Sequence, residues 1–205
     1  MPSKLLPRSF YARDALEVAR DLLGMRLHRD GVVLRITEVE AYRWPDDTAN
    51  HGRFGRTARN DALWGPPGRA YVYTCYGVHH LLNLVTGRDG EATAVLVRSC
   101  EPLQGLEAVQ GRRAGRKGPV LLTGPGKVGA ALALDTSWCH APLYTGGGLE
   151  VRAGELPDAI LIGPRIGVGY AQRAHRTAPW RLAAAGTPWV SHRGALRPER
   201  RRRPS

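Results

Sequence analysis

The chain has 205 residues, which suits a single domain with a sizeable core, and its formal net charge of +12 at pH 7 favours an anionic polymer as partner. Three cysteines without a close pair indicate neither a disulfide framework nor a zinc site, so we expect a reducing compartment. No apolar run reaches the roughly 20 residues that span a bilayer, and the N-terminus lacks a signal-peptide core, which predicts a soluble, intracellular protein without membrane contact.

The first two elements are predicted by their hydrophobic periodicity. Residues 9–23 have apolar side chains at helical spacing, and Gly24 follows as a C-terminal cap, so one amphipathic helix is expected. Residues 32–42 predict a strand, in which alternate side chains share a face. That face begins apolar and ends with Glu38, Glu40 and Tyr42. Glutamates on a strand are usually solvated, but this order also indicates a sheet that opens into a cleft.

A long irregular segment follows from residue 43 to residue 67, punctuated by glycine, proline and aspartate. A loop of this length inside a domain is usually functional or disordered. Its histidine, arginines and asparagine could form the wall of a pocket and a phosphate clamp: His51, Arg53, Arg56, Arg59 and Asn60. Taken alone, His51 would be interpreted as a solvated loop residue.

The next segment, residues 70–85, contains two strand-like runs that meet at Tyr76 and Gly77. This pattern predicts a β-hairpin whose turn is supplied by Gly77 and whose tip exposes Tyr76. Tyr71 is expected only to pack on the sheet, as strand tyrosines commonly do. A large aromatic side chain at a hairpin tip has little to pack against, which indicates a contact outside the domain.

The second half of the chain predicts further short elements. A buried strand over 92–97 should deliver Arg98 at its end, and a helix is expected between Leu103 and Gly111, before a flexible basic loop over 111–118. Lys127 closes a glycine-rich segment, 123–127, that precedes a helical pattern over 128–134 and could bind phosphate, although its spacing is not that of a P-loop. Further strands are predicted over 149–151, 159–162 and 189–191.

Taken together, these segments resemble the alkyladenine (3-methyladenine) DNA glycosylase family, in the manner of a bacterial member. The resemblance covers nearly the whole chain and depends on short motifs in a shared order: Glu38-Val39-Glu40-Ala41-Tyr42, His51, Tyr71-Val72-Tyr73, Tyr76-Gly77, Asn83, Val95 to Arg98, Glu101-Pro102-Leu103, Thr123 to Lys127, Arg165 to Gly169 and Pro188 to Ser191.

The resemblance implies a mixed α/β (α+β) fold: a single compact domain around a curved antiparallel sheet, with a protruding β-hairpin. We expect this glycosylase domain to occupy residues 1–195 and a basic, disordered tail to follow over 196–205. The implied protein is a monomer that acts on damaged double-stranded DNA, without cofactor or metal, in the cytoplasm and associated with the nucleoid. Its activity would be hydrolysis of the N-glycosidic bond of alkylated or deaminated purines, without lyase activity.

Site residues follow from the same resemblance, position by position. Glu40 resembles the general base, while Arg98 and the backbone carbonyl of Ile166 resemble groups that hold the attacking water. The flipped base would stack between Tyr42, His51 and Tyr73 and be sensed by Asn83, and Tyr76 would fill the vacated stack. For DNA binding we add three basic side chains: Arg56, Arg59 and Lys127.

Elementary chemistry supports these roles. A base inside a duplex must be extruded before its glycosidic bond can be reached, and an inserted side chain offsets part of that cost. Stacking on aromatic rings contributes about 1 to 3 kcal/mol per base and tolerates different bases. A carboxylate can accept a proton from water and stabilise positive charge on the sugar, provided that Glu40 is ionised.

Two other classes of protein deserve comparison. A module that only coats nucleic acid would explain the charge, but not an acidic strand beside a cluster of aromatic residues. A formyl- or acyl-transfer enzyme acting on RNA would also need a basic surface and a cleft, but the sequence lacks the asparagine, histidine and aspartate constellation expected around its cofactor. The roles of the 111–118 loop and of the arginine tail are left open by the resemblance.

Overall fold

The computed structural model describes residues 3–199, and within them one mixed α/β domain is built on an antiparallel sheet. The strands are β1 Arg26–Arg29, β2 Val32–Tyr42, β3 Ala70–Cys75, β4 His79–Thr86, β5 Thr93–Gln104, β6 Glu150–Arg152, β7 Ile160–Gly163, β8 Arg181–Ala184 and β9 Arg197–Pro198. The helices are α1 Arg8–Tyr11, α2 Ala15–Leu22, α3 Leu106–Arg112, α4 Pro125–Ala131 and α5 Arg173–Thr177. The predicted fold class is confirmed.

Strand β2 lies at the centre of the sheet. The strand order is β3-β4-β5-β2-β8-β7-β9, and β1 pairs with both β2 and β6. The predicted bounds of β2 are confirmed. The strand does not lie at the edge of the sheet with one solvated face, because its residues on both faces are largely buried. Irregularities in the pairing of β2 with β5 flank Glu38, and such bulges bend a strand and increase its twist.

The segment expected to form one N-terminal helix folds as two. The side chain of Asp14 accepts a hydrogen bond from the amide of Leu16 at 2.8 Å and so starts α2 as an N-cap. Helix α2 then buries its small and aliphatic face against the sheet: Ala15, Val18, Ala19 and Leu22. Periodicity alone did not separate α1 from α2, because the apolar residues continue across the break.

The predicted hairpin is present, formed by β3 and β4, with Cys75 opposite His79 at its end. Tyr76 and Gly77 both have positive φ, 51° and 72°, as in the tight turns that match the twist of paired strands. Helix α4 packs against strand β4 of the hairpin. A Cβ atom on Gly129 of this helix would lie only 1.9 Å from the carbonyl oxygen of His80. Glycine at this position therefore lets the helix approach the strand.

Several predicted boundaries were wrong for physical reasons. Strand β5 continues to Gln104, so Arg98 lies in its middle and not at its end. Residues 189–191 are not a strand, because the amide of Ser191 donates to the carboxylate of Glu38 and not to a neighbouring strand. Helix α4 begins at Pro125, three residues before the predicted start. Strands β1 and β8 and helix α5 were missed.

The C-terminal segment begins on the sheet. Residues Arg197 and Pro198 form β9 and pair with Ile162 and Leu161 of β7, while Glu199 forms an ion pair with Arg20. The first part of the predicted tail thus packs against the domain, and the predicted boundary at residue 195 precedes this last strand. Residues 200–205, which contain four of the tail's arginines, lie outside the described residues.

Candidate active site

The carboxylate of Glu40 is fully buried and held on both oxygens. Its Oε1 accepts a hydrogen bond from the backbone amide of Ile166 at 2.8 Å and lies 3.2 Å from Nη1 of Arg98. Its Oε2 accepts a hydrogen bond from the Tyr42 hydroxyl at 2.9 Å. Glu40, Arg98, Ile166 and Tyr42 are thus brought together as expected, although Ile166 reaches Glu40 through its N–H group. A role for the Ile166 carbonyl stays a prediction.

Arg98 bridges two carboxylates. Its Nη1 faces Glu40, and its Nε donates to Oε1 of Glu38 at 3.2 Å. Burial by itself would lower the pKa of Arg98, but the carboxylates of Glu40 and Glu38 outweigh burial and raise that pKa above its usual value. The guanidinium therefore remains charged beside Glu40.

Glu38 anchors this network and was missed as a functional residue. Its side chain is fully buried, and five hydrogen bonds reach it from three parts of the fold. The donors are Arg98 and Ser99 of β5, Arg181 of β8, and both the amide and the hydroxyl of Ser191, at 2.6 to 3.2 Å. Two buried guanidinium groups, those of Arg98 and Arg181, thus face two buried carboxylates. This balance allows four charges to be buried together.

A narrow slot with a cavity volume of about 20 Å³ lies beside Glu40, on the other side of Tyr42. It contains all four residues predicted for a base pocket and four more: Tyr42, His51, Tyr73 and Asn83, with Asn50, Leu63, Tyr71 and Ala94. The rings of His51 and Tyr73 are 4.5 Å apart at 74°, and those of Tyr71 and Tyr73 are stacked at 5.6 Å. Four of these eight residues are aromatic, so the slot, once widened by side-chain movement, would present ring faces to a planar, unsaturated ring.

Tyr71 does more than the packing expected of it. Its hydroxyl lies 3.0 Å from Nδ1 of His51 and fixes the imidazole against Tyr73. Desolvation by the surrounding side chains, and then the nearby charges of Arg53 and Arg59, lower the pKa of His51, although the residue keeps an exposed surface. The sequence did carry a signal for Tyr71, because alternation along β3 places it on the same face as Tyr73.

Protonation and amide geometry define the polar groups of the slot. Burial, and then the Glu40 carboxylate, raise the pKa of Tyr42 well above its usual value, so its hydroxyl stays protonated and can donate to Glu40. The side-chain amide of Asn83 donates to the carbonyl oxygens of Tyr71 at 3.2 Å and Leu81 at 3.4 Å. These bonds fix the amide of this buried residue, which lines the slot.

The long loop that carries His51 is ordered by buried polar side chains. Arg165 forms a two-pronged ion pair with Asp47 at 2.5 and 2.7 Å, with both side chains fully buried, and stacks over the ring of Tyr42. The pair holds the loop next to the segment that presents Ile166 to Glu40. Asn60 closes the loop further on, donating to the carbonyl oxygens of His51 and Gly55. Asp47 and Arg165 were not predicted as site residues.

The residues predicted to meet DNA are exposed or half-buried. Tyr76 is 92% exposed at the hairpin tip. Arg56 pairs with Asp61 at 2.7 Å, and Arg59 donates to the carbonyl oxygen of Thr74, next to the hairpin end, at 3.1 Å. Lys127 is half-buried in α4, and its pKa is lowered by burial and then by Arg113 and Arg116. A basic cluster, Lys127 with Arg113 and Arg116, therefore lies on the α4 side.

Residues 3–199 contain no group of three or more histidine, cysteine, aspartate and glutamate side chains arranged to hold a metal ion. Nor do they contain a helix long and apolar enough to cross a membrane.

Comparison with known proteins agrees with the site. A sequence model described as methylpurine-DNA glycosylase (MPG) matches residues 9–188. A Nitrosococcus oceani protein with the provisional name 3-methyladenine DNA glycosylase is 68% identical over 194 residues, which cover 95% of this chain and 96% of the relative. An Arabidopsis thaliana protein named DNA-3-methyladenine glycosylase is 54% identical over 190 residues, which cover 92% of this chain and 74% of the relative.

Proposed function

Because the chain belongs to the methylpurine-DNA glycosylase family, we propose that it is a DNA-3-methyladenine glycosylase of base excision repair. The family membership confirms the resemblance found in the sequence. The substrates are purines with alkyl or deaminated groups, of the 3-methyladenine, hypoxanthine and ethenoadenine class, within double-stranded DNA. The enzyme binds this DNA as a monomer near the nucleoid and releases the free base.

The proposal depends above all on the position of the buried Glu40 carboxylate. It accepts a hydrogen bond from the hydroxyl of Tyr42, and Tyr42 lines the aromatic slot. A flipped purine in the slot would stack on the ring faces of Tyr42, His51 and Tyr73. Its glycosidic bond would then point toward Glu40. The electrostatic environment needed for hydrolysis is already in place there, since preorganised charges require no reorganisation during the reaction.

Glu40 has the chemistry required of a general base. The Oε2 atom of the carboxylate accepts from the Tyr42 hydroxyl and has a second lone pair, so a water molecule can donate to it. As the bond to the base breaks, positive charge develops on the sugar, and a carboxylate both removes the water proton and stabilises this charge. The Arg98 guanidinium lies beside the Glu40 carboxylate, and its remaining N–H groups can orient the water.

Release of the base should leave the DNA strand intact. Strand cleavage by a glycosylase requires an amine that attacks the sugar carbon, and none of the described residues lining the slot is a lysine. We therefore assign a monofunctional activity with an abasic site as product.

The test uses duplexes that carry a single hypoxanthine, ethenoadenine or 3-methyladenine, followed by hot alkali, which cleaves DNA at abasic sites. Strand cleavage that requires both enzyme and alkali is the expected result, with an undamaged duplex as control. Intact strands on all three duplexes after alkali would contradict the proposed function. Cleavage without alkali would contradict the monofunctional assignment.

A further inference from the structure

A second aromatic groove opens on the surface next to the base slot. It has a volume of about 470 Å³ and runs between the loop 51–60 and the hairpin. Three residues, His51, Tyr71 and Tyr73, line both the groove and the slot. A layer of side chains thus separates the two spaces, and a group in the groove lies directly beside a base in the slot.

The outer rim of this groove carries Phe54, which is 86% exposed, opposite Tyr76 of the hairpin tip. A single exposed apolar residue needs no explanation. Phe54, however, is held in place: the guanidinium of Arg53 lies 4.5 Å from its ring centre and 4.8 Å from that of Tyr170. Tyr170 is in turn tied to the loop by a hydrogen bond from its hydroxyl to the carbonyl oxygen of Ala49 at 2.9 Å.

The backbone under Phe54 is fixed as well. A Cβ atom on Gly52 would lie 2.4 Å from Cβ of Ala92, the residue before β5, so the loop is pressed against the start of that strand. The side chain of Arg53 also donates to the carbonyl oxygen of Asn50 at 3.1 Å. An exposed aromatic side chain whose backbone and neighbours are already fixed loses little conformational entropy when it binds a partner. This is how preorganisation contributes to affinity.

The chemistry of the groove matches a nucleotide. It offers aromatic faces for a base, and Arg53 and Arg59 on the same walls carry positive charge for phosphates. Because the groove adjoins the slot across this layer of side chains, the DNA strand that places its damaged nucleotide in the slot has its neighbouring nucleotide within reach of the groove. Enzymes that flip bases commonly derive sequence preference from such flanking nucleotides.

We propose that Phe54 and the groove bind the nucleotide next to the lesion on the damaged strand, with the flanking base stacked on Phe54. This inference rests on the proposed function, since it takes the slot to hold a flipped base. It gives the enzyme a second aromatic contact, on the loop, in addition to Tyr76.

The experiment is a binding cycle between one side chain and one base. Wild type and Phe54→Ala are titrated with duplexes that contain an uncleavable tetrahydrofuran abasic analogue. In one duplex both neighbours are intact, and in two others either the 5′ or the 3′ neighbour also lacks its base. We expect Phe54→Ala to bind the first duplex about 5- to 150-fold more weakly, from the loss of one stacked base. On one of the other two duplexes the deficit should shrink to less than twofold.

Matched variants separate stacking from general apolar contact. Phe54→Trp should retain affinity and Phe54→Leu should not, while Leu156→Ala, at another exposed apolar residue, should bind all three duplexes as wild type does. A Phe54→Ala variant without any loss, or with the same fold loss on all three duplexes, would overturn the inference. Base release by wild type is scored separately: its absence contradicts the proposed function, whatever the binding cycle shows.

Discussion

Replacing Glu38 by glutamine should strongly destabilise the protein. All five groups that reach this carboxylate are donors, and the two guanidinium groups among them, of Arg98 and Arg181, are buried. Glutamine has nearly the same shape, but it removes the charge and turns an NH₂ group toward donors. Removing one partner of a buried ion pair costs about 3 to 5 kcal/mol, because the other charge is left uncompensated.

For a domain of this size, 1 kcal/mol corresponds to a shift in Tm of about 2 to 4 °C, so the variant should melt about 6 to 20 °C below wild type. Thermal unfolding followed by circular dichroism measures this shift. The control is Glu101→Gln, which makes the same change in a partly exposed ion pair with Arg35, worth about 1 kcal/mol or less. If Glu38→Gln and Glu101→Gln melted at the same temperature, the account of a buried charge network would be refuted.

Three further predictions concern DNA and pH. Tyr76→Ser should slow base release most for hypoxanthine opposite thymine, less opposite a mismatched base and least in single strands, because stable pairs cost more to open. Single-turnover rates at saturating enzyme measure this effect. Equal losses on all three substrates would exclude the role of Tyr76 in filling the vacated stack. Deleting residues 200–205 should lower the slope of log affinity against log salt by up to about 0.9 for each arginine that contacts a phosphate. The single-turnover rate of base release should stay unchanged, and a slower rate at saturating enzyme would give the tail a role in the chemistry. The pKa of His51 in the folded protein lies below its ordinary value of 6.5, so the unfolded chain binds a proton first as the pH falls through 6.5, and the free energy of unfolding should decrease in that range. His51→Gln should make this decrease smaller in thermal melts recorded from pH 8 to 5. An unchanged pH dependence would contradict the lowered pKa of His51.

The central strand and the hairpin could be predicted because their signals are local. Alternation and an apolar run specify β2, and a glycine between two strand-like runs specifies the turn at Tyr76 and Gly77. The motif around Glu40 likewise singled out the carboxylate that lies behind Tyr42. Such features depend on residues close together in sequence, so a single chain is sufficient to find them.

The role of Glu38 could not be predicted, because its partners are remote. Arg181 lies 143 residues away and Ser191 lies 153 residues away. A strand glutamate that is solvated and one that is buried produce the same alternating pattern, so only the fold distinguishes them. The same holds for Arg165, which pairs with Asp47 across 118 residues and places Ile166 against Glu40. Long-range burial also explains β8, whose arginine and alanines carry little strand preference.

The direct test of the account is Glu40→Gln, assayed for both chemistry and binding. Glutamine cannot accept the water proton, whereas the phosphate contacts that dominate affinity lie elsewhere. We expect single-turnover release of hypoxanthine to fall by about 10² to 10⁴-fold, the usual contribution of a general base. Affinity for the tetrahydrofuran duplex should stay within a few-fold of wild type. Unchanged release of hypoxanthine, or an equal loss of binding and release, would contradict the assignment of Glu40 as the base.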